Sequence, residues 1–389
     1  MTLRIAHLGP SVVPVWHQRG GALQRRMVEL ARAQARMGDH PLLVSPAAPA
    51  HDTREGDVET ASIACRLQRP WRDYEFVWRA RRTLDRFQPD VVHFHGTPHG
   101  AVLMGGEVPS LLTADWFRWR GSGRGLGRRI YSWWLSRFTA VTAVSEYCHG
   151  RFTAFWPEVS PVYTVPNGVN LDQFRPDPES GARMRSALGI SPSAAVVLYV
   201  GRVCEQKGSD TLLSAVPAVR DALRPVQFVV AGPPSQFGQT RPTSLLARMI
   251  NAGVRYLGAA DEGDLAALYN MCDVFVMPTS SAEMFGMAVA EAEACGKPVV
   301  CSALGGLLEA ASERSALFVR PRDAAALSAG ITTLLSDPER RARMGAAGIQ
   351  HVRRFAWPAV ATSFRAVYEE MLADGSSTAV AGRRLAGGR

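Results

Sequence analysis

Short apolar runs alternate with amphipathic stretches along most of the chain. Residues 3–8 form the first apolar run and predict a strand; a polar loop with Gly20-Gly21 and a helical pattern over 22–37 follow. Strands are predicted at 42–44, 90–94, 111–113 and 139–144, with a helix over 76–87. A turn cluster at 166–170 and a polar, Pro-rich stretch to about residue 180 predict a linker. A second alternating set begins beyond it, with strands at 195–200, 227–230, 254–257 and 274–277 and a helix from Gly208. Helical patterns at 324–335 and 338–354 precede one from Trp357, and 374–389 lacks periodicity and predicts a disordered tail. Strands separated by helices imply parallel sheets. The fold class is therefore α/β, two doubly wound Rossmann-like domains facing across a cleft, at 1–168 and 169–355.

In such sheets ligands sit beyond the carboxyl ends of the strands, so the residues after each strand matter most. The most informative stretch follows the strand at 274–277. Glu283 ends a polar loop, Phe285-Gly286-Met287 open a helix, and Glu291 lies further along it. Free backbone N–H groups at that helix start make an anion site, with one carboxylate at its mouth and another beyond. That arrangement suits a ligand with phosphate in its middle and hydroxyl groups at both ends, such as a nucleotide sugar. Arg202 and Lys207, each next to a glycine, follow the strand at 195–200. They are either solvated surface charges or two cations for a leaving diphosphate. Gly305-Gly306 open another helix start with amides for sugar or phosphate.

In the first half, His17, Gly20 and Gly21 follow the first strand; the glycine pair is either a plain tight turn or a close approach to phosphate. His93 and His95 share one face of their strand by alternation, with His95 nearer the mouth. It is either a structural histidine or an acceptor of a sugar hydroxyl. Asp115, after residues 111–113, is an acceptor-binding carboxylate or a helix cap. Ser145-Glu146 reads as a cap with a first-turn carboxylate.

Composition narrows the classes. At 389 residues, 47% hydrophobic and 20% charged, the chain predicts a soluble protein of two domains. No apolar run approaches the roughly 18 residues of a membrane span, and the first residues predict a strand rather than a signal peptide. The six cysteines lack a C-x-x-C pair, which predicts buried thiols in a reducing cytoplasm and no metal site. The net charge of +9 brings no nucleic-acid motif with it, and no nucleic-acid partner is expected. Residues 116–134 are rich in tryptophan, and five arginines fall between Trp116 and Arg129. The segment is a solvated loop, an acceptor-side loop or a contact with an anionic membrane surface.

Taken together, these residues resemble the family 4 glycosyltransferases of the GT-B fold. The resemblance rests on Gly20-Gly21, DVVHFHG over 90–96, AVSEY over 143–147 and VPNGVNLDQF over 165–174. It rests further on GRVCEQKG over 201–208 and, most specifically, on Glu283 and Glu291 followed by ACGKPVV and Gly305-Gly306. It implies a retaining, metal-independent hexosyl transfer from a nucleoside-diphosphate sugar, UDP by default, to a small-molecule, natural-product or saccharide hydroxyl, without a cofactor. Arg202 and Lys207 would bind the diphosphate. Glu283, with Phe285, Gly286 and Met287, would hold the donor sugar, and Glu291 the ribose. Gly20 and Gly21 would approach the phosphates, His95 would contact the sugar, and His17 and Asp115 would lie on the acceptor side. A helix over 356–373 would cross back to the first domain. Met284 and Asp115 depart from the family pattern of glycine and histidine, and Asp115 suggests an unusual acceptor. The implied location is cytoplasmic, with the inner membrane face as the peripheral alternative. Two further functions stay open: a peripheral-membrane enzyme acting on a lipid acceptor, and a non-catalytic nucleotide-sugar binder.

Overall fold

The computed structural model describes residues 2–11, 22–47, 58–68, 71–104, 108–114, 125–234 and 244–386. The chain divides into two units, Met1–Gly168 with Trp357–Arg389, and Val169–Ala356.

The first unit is built on β1 (Arg4–Leu8), β2 (His40–Pro46), β3 (Glu59–Ile63), β4 (Val91–His95), β5 (Ser110–Ala114), β6 (Ala140–Ala143) and β7 (Val162–Thr164), all parallel, in the order β3-β2-β1-β4-β5-β6-β7. Its helices are α1 (Ala22–Arg36), α2 (Trp71–Phe87), α3 (Gly100–Met104), α4 (Leu126–Leu135) and α5 (Glu146–Phe155). Crossovers between parallel strands are right-handed. Strand order runs one way from β1 to β3 and the other way from β4 to β7. The helix α1 therefore covers one face of the sheet, and α2 to α5 cover the opposite face. Ser145 caps α5 by accepting from the Cys148 N–H at 3.0 Å, as its sequence context predicts.

The second unit contains α6 (Pro178–Ala187), β8 (Ala195–Val200), α7 (Ser209–Ala222), β9 (Val226–Ala231), α8 (Ser244–Asn251), β10 (Arg255–Tyr256), α9 (Glu262–Met271), β11 (Val274–Met277), α10 (Met287–Ala294), β12 (Val299–Ser302), α11 (Leu307–Ala310), β13 (Ala316–Val319), α12 (Ala324–Ser336) and α13 (Pro338–Val352). Its parallel sheet runs β10-β9-β8-β11-β12-β13. The direction of winding reverses between β8 and β11, so the crevice beyond their carboxyl ends is where this topology binds ligands.

The closing helix, α14 (Trp357–Ala386), belongs to the first unit. Its Val360, Phe364 and Tyr368 pack with Leu30 of α1 and with Ile5, Val91 and Leu111 of the sheet, on the face α1 covers. The helix runs past Ala373, where composition predicts a disordered tail. Once a packed segment has nucleated a helix, each further residue costs little, and this carries the helix across Gly375 and Gly382, the poorest helix formers in the stretch. The boundary at Gly168 and Val169 falls inside the predicted turn cluster. Gly168 does not supply a positive φ there; a Cβ at this position would lie 2.3 Å from the Trp357 indole. Its small size is what the packing requires. Among the described residues no helix is long and apolar enough to cross a membrane. Five of the six cysteines are buried and none is in a disulfide; burial pushes the Cys272 thiol up to about 12.

Candidate functional site

The second unit brings Lys207 and Glu283 together. Lys207 ends a 3-10 turn (Glu205–Lys207) after β8, and Glu283 lies in the loop after β11, the two strands that flank the reversal point. Their side chains pair at 2.5 Å, each about one-fifth exposed. Several contacts fix the pair. The Thr279 hydroxyl lies 2.8 Å from the Gln206 carbonyl, which also accepts the N–H groups of Ser280 and Ser281. The Ser280 hydroxyl donates to the Glu205 carbonyl at 2.7 Å. The loop after β11 is thus laced to the turn after β8. Gly208 makes this approach possible: its φ is 73°, and a Cβ would stand 1.7 Å from the Pro278 carbonyl oxygen.

Tyr199, fully buried at the end of β8, braces the same turn from beneath. Its hydroxyl donates to the Arg202 carbonyl at 2.7 Å and lies 3.5 Å from the Lys207 carbonyl. Burial raises the pKa of this phenol, which keeps it a donor. Arg202 is partly exposed on this loop.

On the other side of Glu283, Gly286 caps α10 with φ 114° and no side-chain cap bond, so the first amides of that helix are not capped by its own residue. A Cβ on Gly286 would meet Leu307 at 2.5 Å. Phe285 is buried edge-on against Phe355, centroids 5.0 Å apart, and Met287 is half-buried. Glu291 is buried in α10 and accepts from the Tyr269 hydroxyl at 2.7 Å. The predicted role of Gly305-Gly306 is corrected in part. The Gly306 N–H is bonded to the Glu283 carbonyl at 2.8 Å, and a Cβ at either glycine would strike the 283–284 backbone. These glycines seat the Glu283 loop.

Glu293, two residues beyond Glu291, is fully buried. Neither of its oxygens makes a hydrogen bond of normal geometry. Desolvation pushes its carboxyl up to about 8, against smaller opposing effects of Ser315 and Arg354.

His95 sits in the first unit, where His93 and His95 share a strand face as alternation predicts, their rings stacked at 4.0 Å. With His7 they form a buried trio whose ring nitrogens lie within 4.8 Å of one another, a spacing that metal ligands can have. The donors and acceptors fit a different arrangement. Arginine can only donate, so Arg26 donates to His95 Nδ1 at 3.0 Å. His95 then carries its proton on Nε2 and donates to His7 Nδ1 at 3.0 Å, and His7 Nε2 donates to the Gln34 oxygen at 2.7 Å. The Gln34 amide donates to the Tyr368 hydroxyl at 3.2 Å, which is bonded to His93 Nδ1 at 2.8 Å. His93 Nε2 is bonded to the Thr113 hydroxyl at 2.6 Å, and the Thr113 hydroxyl to that of Thr142 at 2.8 Å. One guanidinium therefore sets the tautomers of His95 and His7. Burial and the nearby Arg26 charge hold all three imidazoles neutral, His7 down to about 4. The predicted sugar contact of His95 finds no support here, since both its ring nitrogens are bonded within the unit. His17, Gly20, Gly21, Asp115 and most of the Arg-rich segment lie outside the described residues.

Sequence reasoning missed Tyr199 and Tyr269. Both lie in apolar patterns, where a tyrosine reads as core. A cavity of about 460 Å³, lined by Arg185, Asn270, Lys297 and Ile349 among others, opens at the opposite end of the same sheet. Asn270 and Lys297 precede β11 and β12, so this cavity shares no residue with the Lys207–Glu283 pair.

Residues 20–173 match the family described as Glycosyltransferase Family 4, and residues 182–351 match Glycosyl transferases group 1. A D-inositol 3-phosphate glycosyltransferase 2 of Catenulispora acidiphila is 38% identical over 222 residues, 55% of this chain and 51% of that protein. A D-inositol 3-phosphate glycosyltransferase of Segniliparus rotundus is 36% identical over 246 residues, 62% of this chain and 53% of its own length. The chain spans about half the length of the curated relatives it matches. Among solved structures, sucrose-phosphate synthase from Thermosynechococcus elongatus aligns with a TM-score of 0.78 at 23% identity, covering 96% of this chain and 100% of that one. Anabaena HepE in complex with UDP and glucose aligns at 0.76 and 19% identity, covering 94% and 99%.

Proposed function

Because the chain belongs to the family 4 glycosyltransferases and has their GT-B fold, we propose that it moves a hexosyl group from a nucleoside-diphosphate sugar to a hydroxyl of a small-molecule or saccharide acceptor. The observation that carries this reading is the Lys207–Glu283 pair, seated where β8 and β11 wind apart. Lys207 and Arg202 offset the charge that grows on the diphosphate as the glycosidic bond breaks, and the uncapped start of α10 adds its amides. Glu283 takes the hydroxyls of the donor sugar and Glu291, oriented by Tyr269, those of the ribose. His17 and Asp115 are the acceptor-side candidates, and Gly20 and Gly21 approach the phosphates.

The transfer retains anomeric configuration and needs no metal, because fixed cations take the place a divalent ion would fill at the diphosphate. UDP is the first donor nucleotide to try. The relatives named for D-inositol 3-phosphate make that compound the first acceptor to try.

The test is product formation from UDP-glucose and inositol 3-phosphate, with UDP release and product anomer followed together. Transfer should proceed unchanged in EDTA, and Arg202→Ala should slow it at least about 100-fold. Loss of activity in EDTA would overturn the metal-free mechanism. A thermal shift with UDP, GDP, ADP or TDP, unaccompanied by turnover of any acceptor, would make the protein a nucleotide-sugar binder instead.

A further inference from the structure

The helices α2 to α5 cover the sheet face opposite α1, and two of them expose apolar side chains in register. In α2, Phe76, Val77, Ala80, Leu84 and Phe87 are buried toward the sheet. Trp71 and Trp78, spaced seven residues apart on the opposite side of the helix, are 65% and 61% exposed. In α4, Leu135 is buried, whereas Leu126, Ile130 and Trp133 form an i, i+4, i+7 stripe exposed at 73%, 41% and 47%. Tyr74 of α2 and Trp134 of α4 contact each other edge-on at 6.5 Å, and the His99 ring touches both. The two stripes are therefore neighbours, and both look away from the sheet on the same side.

Arginine outnumbers acid on both helices, and the exposed acid set against α4 is Glu158, which accepts from the Ser132 hydroxyl. The helix α4 has no acidic residue, and exposed Arg128 and Arg129 lie along it. Arg137 follows, with its guanidinium over the Trp133 ring at 5.2 Å. Exposed Arg81, Arg82 and Arg86 on α2 face a single exposed acid of that helix, Asp85. A surface of tryptophan, leucine and isoleucine edged by arginine matches the boundary between acyl chains and anionic headgroups. The rings and aliphatic groups enter the interface, and the guanidinium groups meet phosphate.

We propose that the α2–α4 face of the first unit docks on an anionic lipid bilayer. This goes beyond the chemistry assigned to the second unit and does not depend on it. The occupant is a bilayer rather than a protein because the helix α4 carries arginine and no acid of its own beside the apolar stripe, with Glu158 as the acid packed against it.

The test is flotation of the full chain with vesicles of phosphatidylcholine alone and of phosphatidylcholine mixed with phosphatidylglycerol, across a salt series. The chain should float with the anionic vesicles and not with the neutral ones. Each arginine near such a surface contributes about fivefold to partitioning, so Arg128→Gln with Arg129→Gln and Arg137→Gln should weaken binding roughly 100-fold. Trp78→Ser with Ile130→Ser and Trp133→Ser should abolish flotation while leaving thermal melting unchanged. Three results would overturn the proposal. One is failure of the wild type to float at low salt. Another is an apolar variant that floats as well as the wild type, which would leave only general charge attraction. The third is self-association of the wild type that the apolar variant lacks, which would make the face an interface between copies.

Discussion

Breaking the Lys207–Glu283 pair should damage stability and catalysis by separable amounts. At 2.5 Å, and with an effective dielectric constant near 20, the gross attraction is about 7 kcal/mol. Both side chains are only one-fifth exposed, and desolvation offsets much of that gain. A coupling of about 1–3 kcal/mol should remain. Lys207→Met then leaves Glu283 in a low-polarity setting without its cation, and about 2 kcal/mol of loss lowers the melting temperature by about 5 °C for a unit of this size. Glu283→Gln should do similar harm by stranding Lys207. The double variant removes both charges and should recover most of the stability, within about 1 kcal/mol of wild type. Transfer rate should behave otherwise. All three variants should turn over at least about 100-fold more slowly, because the diphosphate loses its cation or the sugar its carboxylate. Denaturant melts and initial rates on the four proteins complete the cycle. Additive stability losses would show that the pair carries no coupling. A double variant with restored turnover would show that the two residues serve the fold and not the reaction.

Two other perturbations follow from the same unit. Glu293 holds its proton in the folded state up to about pH 8, whereas the unfolded chain releases it near 4.5. Between those values the folded state binds more protons, so stability falls as pH rises, by about 1.4 kcal/mol per unit and about 5 kcal/mol over the whole window. Glu293→Gln should flatten that part of the stability profile, and parallel urea-melt profiles for the two proteins would contradict the assignment. Gly208→Ala should cost about 1–2 kcal/mol for the left-handed backbone alone. The clash with the Pro278 carbonyl should also lift the turn and draw Lys207 away from Glu283. Turnover should drop at least about tenfold, by analogy with the cost of misplaced catalytic groups; a normal rate in the folded variant would contradict the role given to this glycine.

The strands that frame the site were legible because they are buried on both faces and read as unbroken apolar runs, as in β8 and β11. The residues after them could then be read off by position, which is how Lys207 and Glu283 emerged as partners in one function. Their direct pairing was not legible, because the neighbouring positions of β8 and β11 come from the order of the sheet. The strand β3, Glu59–Ile63, was missed because it lies at a sheet edge, with most of its side chains partly exposed. Gly208 could be read as a turn residue, but the Pro278 carbonyl that makes it necessary lies far along the chain. His95 shows the opposite failure. Its place at a strand end suggested a ligand contact, and the partners that occupy it, Arg26 and His7, come from elements a local pattern cannot join to it.

The row of hydrogen bonds from Arg26 to Thr142 has a sense as well as a strength. From Arg26 through His95 and His7 to Gln34, each ring takes its orientation from the one before, beginning with a group that can never accept. A phenylalanine in place of Tyr368 would cut that row in two and leave His93 Nδ1 without its partner, so the closing helix holds a vote in how a proton sits in the middle of the first sheet.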